Sequence, residues 1–257
     1  MPSAINSLAA FVSQIAITAH TWSPKGDRTR LWFRGQGQDW KLTPSMYRRP
    51  GWSVYPHEEE VHYRSEFQVR APQIAMLEKP STPWEWYFMM QHFGFPTRLL
   101  DWSDSALIGL YFAIRDRDRR HKGVVWMLDP AWLNELAHRM PNVASPDWPG
   151  LRKYLPDYDQ ANLLPEDPIA VDPGHVTRRL SAQKGHFTIH GTRTRPLNAI
   201  LNKLARKSPL VRLRPIYIHG ASKPKIEYEL ACCGITETSI YPDLEGLSRE
   251  FVRDLSL

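Results

Sequence analysis

A chain of 257 residues with 42% hydrophobic side chains has enough apolar surface for a sizeable core, in one large domain or two small ones. Its net charge of +6 suits an anionic partner: a nucleotide, a nucleic acid or an acidic protein surface. Its two cysteines, adjacent at Cys232 and Cys233, exclude a disulfide framework and a paired CxxC zinc site. No apolar run reaches the roughly 18 residues of a membrane helix, so a soluble cytoplasmic protein with no membrane partner is expected.

Residues 4–20 have helical spacing, with Leu8, Phe11, Ile15 and Ile17 on one apolar stripe. Residues 29–42 follow as a strand through Leu31 and Phe33 that ends in a turn at Gly35 and Gly37. Arg34 at such a strand end either grips a phosphate or carboxylate with its two-pronged guanidinium or pairs with an internal acid. GQG is not GxGxxG, and no Walker-type GxxxxGK occurs. Residues 57–79 read as a helix kinked at Pro72. Glu58, Glu59, Glu60, Arg64 and Glu66 are placed on its solvated face, and Val61, Phe67, Ile74 and Leu77 on its buried one.

Residues 84–114 are the organising stretch, read as helix, tight turn, helix, with Thr97 to Asp101 short and extended. Thr82 is an N-cap, Pro83 the first helical residue and Glu85 the reciprocal cap. Gly94 closes the helix in a left-handed conformation, and Pro96 prevents its continuation. Gln91 and His92 fall in its last turn. Ser103 is expected to cap a second helix over 104–115, with Asp101 just before it, paired with Arg98, with Arg34 or with a backbone N–H at the helix start.

Residues 123–129 have the character of a buried strand, and 130–140 return to helix. Residues 141–174 are proline-rich and aperiodic, and read as a long irregular insert. A strand over 187–190 puts His186 and His190 on one face, with no third ligand at metal spacing, so no metal site is expected. A helix over 196–206, an edge strand over 210–218 broken by Pro215, a helix from Ser222 to Cys233 with at least one cysteine in the core, and a final surface helix complete the chain. The mixture predicts a single α+β domain, a mixed sheet flanked by helices.

No nucleophile motif of the GxSxG type is present. The chain offers anion binders and polar orienters at element ends: Arg34, Gln91, His92, Arg98, Asp101 and Gln183. Phe33, Trp40, Tyr87, Trp102 and Phe187 surround them. Phosphate grips combined with flat rings suit a nucleotide.

FRG at 33–35, QHFGFPTRLLDWS at 91–103, ALIGLYFA at 106–113, AQKGHFTIH at 182–190 and SIYPDLEGL at 239–247 together resemble the FRG domain family, in that family's order. Ser103 and Tyr241 depart from it, where Thr and Phe are usual. The resemblance implies one FRG domain over 1–257, in a family found in bacterial and phage genomes. A more distant similarity to ADP-ribosyltransferases implies NAD as the cofactor, and a transferase or NAD glycohydrolase acting in bacterial or phage conflict. In that reading Arg34 and Arg98 hold pyrophosphate and His92 bonds a ribose hydroxyl or the amide. Asp101 or Gln183 orients the oxocarbenium-like centre, and Gly35, Gln91 and Phe187 complete the binding set. Gln183 cannot act as a general base. The rival expectations are a non-catalytic nucleotide or nucleic-acid sensor in phage defence, and a purely structural polar network.

Overall fold

Short runs of β-branched and aromatic residues pair into a six-stranded sheet of order β4-β5-β2-β1-β3-β6. The strands are β1 (Trp32–Gln36), β2 (Leu99–Ser103), β3 (Gly123–Leu128), β4 (Ile169–Val171), β5 (Gly185–Ile189) and β6 (Leu213–Ile218). The helices are α1 (Leu8–Trp22), α2 (Pro56–Ile74), α3 (Pro83–His92), α4 (Ala106–Ile114), α5 (Pro130–His138), α6 (Leu197–Leu204), α7 (Lys223–Cys232), α8 (Glu237–Ile240) and α9 (Leu244–Asp254). The computed structural model describes residues 4–23, 30–48, 56–74, 80–116, 118–155, 163–173, 183–208 and 210–255. The fold is α+β, as expected. Every pairing of these strands is antiparallel rather than mixed; parallel geometry is confined to isolated bridges at Ile5–Ile218 and Ala144–Val171.

The sheet has a seam. β1 and β3 pair over five positions, as do β2 and β5, but β1 meets β2 at one bridge, Phe33 opposite Ser103. On one face, two separate apolar clusters flank this seam. One packs Phe33, Val125, Met127 and Ile216 against α1, α4 and α7; the other packs Leu99, Phe187, Ile189 and Val171 against α3. On the opposite face a single cluster runs across both halves, from Ala170 through Leu100, Trp102 and Trp32 to Trp126, under α5 and α6.

Residues 84–114 are helix, strand, helix: the supposed turn contains β2, a central strand. The cap reading holds for Thr82, Pro83 and Gly94, whereas Glu85 accepts from Ser81 N and not from the cap residue. Thr82 Oγ1 accepts from Glu85 N, Ser81 N donates to Glu85, and Gly94 sits at φ +79°. Ser103 ends β2 instead of capping α4; its hydroxyl accepts from Ser105 N, and Ser105 is the cap residue.

Gly35 lies inside β1, not in a turn, because α4 crosses the sheet there. A Cβ on Gly35 would stand 1.9 Å from Gly109 O and 2.6 Å from Ala113 N. The irregular insert contains the edge strand β4, and residues 156–162 and 174 of it lie outside the described residues. Glu60 and Arg64 are buried, not solvated, whereas Ile17 and Ile74 are exposed. Leu77 lies outside the described residues. Both cysteines are exposed, so neither belongs to the core.

A buried polar network underlies α3. Arg98, fully buried, donates through Nε to Glu60 Oε2 at 2.7 Å, through Nη1 to His190 O at 2.8 Å and through Nη2 to Tyr154 O. Tyr87 donates to Glu60 and accepts from Arg98 N at 2.9 Å. Burial pushes the neighbouring His190 imidazole down to about 3, the Arg195 backbone opposing and Arg98 assisting. Burial, then Arg98, lowers His57 to about 4.

Two outcomes follow. Gly35→Ala forces α4 off the sheet and is expected to cost about 1–3 kcal/mol in chemical denaturation. A histidine lowered in the folded state contributes stability that is complete above its unfolded value of 6.5 and is lost as pH falls toward the folded one. Wild-type stability is therefore expected to drop by roughly 2 kcal/mol between pH 7 and pH 5 through His190 alone. The drop shrinks in His190→Gln, as denaturation curves at the two pH values would show.

Candidate functional site

Where the two clusters part over the seam, a cleft of about 340 Å³ opens. Its floor is strand residues: Phe33, Arg34 and Gly35 from β1, Asp101, Trp102 and Ser103 from β2, and Gly185, His186 and Phe187 from β5. Phe88, Gln91 and His92 of α3 form one wall and Phe112 of α4 another, with Gln183 and Tyr241 at the ends. The helix cap at Thr82 and the stop at Gly94 set the length of α3, and so decide that Gln91 and His92 fall at its cleft end.

Asp101 is the hub of the polar side. Gln91 Nε2 donates to both its carboxylate oxygens, at 2.9 and 3.0 Å. Arg34 Nη1 donates to Asp101 O at 2.7 Å and reaches Oδ2 at 3.4 Å. Gln91 is itself fixed by the buried Thr97, whose hydroxyl donates to Gln91 Oε1. The Arg34 side chain is 16% exposed and the Asp101 side chain 58%, so the carboxylate faces the opening while the guanidinium lies against the floor.

Buried nitrogens in the walls stay unsatisfied: Arg34 Nε, Gln183 Nε2 and His186 Nδ1 make no hydrogen bond among the described residues. These three nitrogens border one cleft and leave donor or acceptor capacity beside it. The apolar side is flat: Phe88 and Phe187 stack at 4.9 Å and 11°.

The structure thus brings Arg34, Gly35, Gln91, His92, Asp101, Gln183 and Phe187 to one cleft. It does not bring Arg98, which is fully buried behind α3 on Glu60 and cannot reach a ligand. Periodicity had put Glu60 on a solvated face, so its partner was hidden. His186, Phe88 and Phe112 were not read as part of this site. Alternation from Phe187 does mark the odd positions of β5 as cleft-facing. His186 pairs with Trp102 and stacks on Trp32 of the opposite face, and still borders the cleft.

Truncation separates the two arginine–acid pairs. Arg98→Ala leaves Glu60 buried and unpaired and is expected to cost about 3–5 kcal/mol. Asp101→Ala breaks an exposed contact and is expected to cost under about 1 kcal/mol. Denaturant titration of the two variants makes the comparison.

Residues 29–122 match the family model described as FRG domain. No curated protein and no solved structure matches. Among the described residues, no helix is long and apolar enough to cross a membrane.

Proposed function

We propose that this chain, which carries an FRG domain, binds a nucleotide in the seam cleft, and that the nucleotide is NAD. The observation that carries the reading is the convergence of a floor-bound guanidinium, amide donors and stacked rings on one opening. Arg34 takes the pyrophosphate, with Asp101 holding the guanidinium in place through Nη1. His92 and Gln91 reach the ribose hydroxyls or the amide. The aromatic side accepts a flat base.

The activity we assign is that of an ADP-ribosyltransferase-like or NAD glycohydrolase-like effector. In the hydrolytic form the bond between ribose C1′ and the nicotinamide nitrogen breaks and nicotinamide leaves with the bonding electrons. Water then attacks C1′ and loses its proton to solvent. Asp101 faces the opening and supplies negative charge for the oxocarbenium-like centre. Gln183 orients and does not exchange protons. The family resemblance is the ground for placing such an effector in bacterial or phage conflict.

Incubation with NAD is expected to release nicotinamide, and Arg34→Ala to weaken NAD binding at least about tenfold by removing a charge-assisted contact. No turnover, together with unchanged NAD binding in Arg34→Ala, overturns the proposal.

A second reading rests on Asp101. Among the described residues it is the one carboxylate in the lining, and Gln91 and Arg34 already engage it. A site with its acid so committed suits a sensor that binds a nucleotide or nucleic acid without turning it over. NAD binding without nicotinamide release distinguishes this reading, and a mobility-shift series at low salt tests the nucleic-acid form.

A further inference from the structure

The last helix, α9, lies on the body of the protein with its charged side inward. Glu237, buried at the start of α8, accepts from Arg249 Nε at 2.8 Å and from Arg253 Nη2 at 2.9 Å. Arg253 Nη1 stands 2.8 Å from Glu227 of α7, and Glu250 accepts from Thr238 N at 2.6 Å. The Arg249 guanidinium also lies over the Tyr241 ring, 4.7 Å from its centre. Charged side chains thus hold this helix down.

Its apolar side faces the solvent. Leu244, Phe251, Val252 and Leu255 are 84%, 59%, 61% and 88% exposed. An amphipathic helix that serves its own core turns the apolar stripe inward and the charges to water. In α9 the two sides are exchanged, so the stripe is left for a surface outside the fold. Those four side chains present on the order of 500 Å² of apolar surface, the size of the largest patches that monomers leave exposed and over half of the roughly 800 Å² that each partner of a standard interface buries.

The order of residues along the stripe says what fits it. Leu244, Ser248, Phe251 and Leu255 follow one another at steps of four, three and four, a spacing that reads the same in both chain directions. Two such helices laid antiparallel about a twofold axis match along their whole length. Leu244 of one copy meets Leu255 of the other at both ends, and in the middle the small Ser248 leaves room for the ring of Phe251. No charged residue interrupts the stripe, and the ion pairs beneath it stay in place when it is covered.

We propose that α9 is a dimerisation surface whose occupant is α9 of a second copy of this chain, antiparallel about a twofold axis. This reading needs no nucleotide and stands apart from the one for the seam cleft.

Sedimentation velocity of the full chain over a concentration series is expected to show a monomer–dimer equilibrium. Phe251→Glu, on an exposed side chain, is expected to raise the dissociation constant at least about tenfold. Leu244→Glu and Leu255→Lys each weaken the dimer alone. Combined, they are expected to associate at least about threefold more tightly than either single variant, through two ion pairs per dimer. A chain monomeric throughout the series, a dimer indifferent to Phe251→Glu, or a double variant no tighter than the single ones overturns the proposal. A monomer that floats with phosphatidylcholine–phosphatidylserine vesicles, and ceases to do so in Phe251→Glu, overturns it in favour of a membrane surface.

Discussion

The buried Arg98–Glu60 pair holds one half of this molecule together. Its guanidinium reaches α2, the end of β5 and the segment at Tyr154, while its backbone is held by Tyr87 of α3. Taking both charges out of water is costly, and only dense hydrogen bonding offsets it. Every nitrogen of the group has an acceptor, and Glu60 is bonded through both oxygens. One consequence is positional. With Tyr87 pinned, α3 has a fixed rotation on the sheet, and Phe88, Gln91 and His92 are set at the cleft as a result.

The other half is set by backbone contact. Gly35 and Gly109 allow α4 to lie on β1 without an intervening side-chain layer. The FRG triplet therefore serves three ends: Gly35 admits the helix, Arg34 reaches the opening, and Phe33 fills the core beneath α4. Lys223, fully buried, bonds Gly37 O at 2.9 Å and Asp116 at 2.6 Å, and so ties the loop after β1 to α7.

Much of the site was legible in the sequence because local rules govern it. Caps and stops placed Gln91 and His92 at a helix end, and strand patterning placed Arg34 and Phe187. What was not legible depends on partners distant in the chain. Glu60 looks solvated within its own helix, since its charged neighbours Glu58, Glu59 and Arg64 carry no sign of a cation 38 residues away. β2 looked like a turn because five residues containing an aspartate lack the alternation of a half-buried strand; the exposed Asp101 is what the cleft requires. Gly35 looked like a turn because a glycine forced by a crossing helix and one forced by a positive φ are identical in sequence. Cys232 and Cys233 looked half-buried, but α7 ends there and leaves both in solvent.

The single bridge between Phe33 and Ser103 gives the cleft a mechanical character. Strands elsewhere in the sheet are laced over several positions, and the opposite face is sealed by a continuous apolar layer. On the cleft side the two half-sheets are joined across the seam by that bridge and by Arg34 on Asp101, contacts of about 1 kcal/mol each, and on the other side by that layer. The seam is therefore the most lightly bonded line of the sheet, and the cleft lies over it. The width of the cleft is thus set by the spacing of two half-sheets as well as by the side chains that line it.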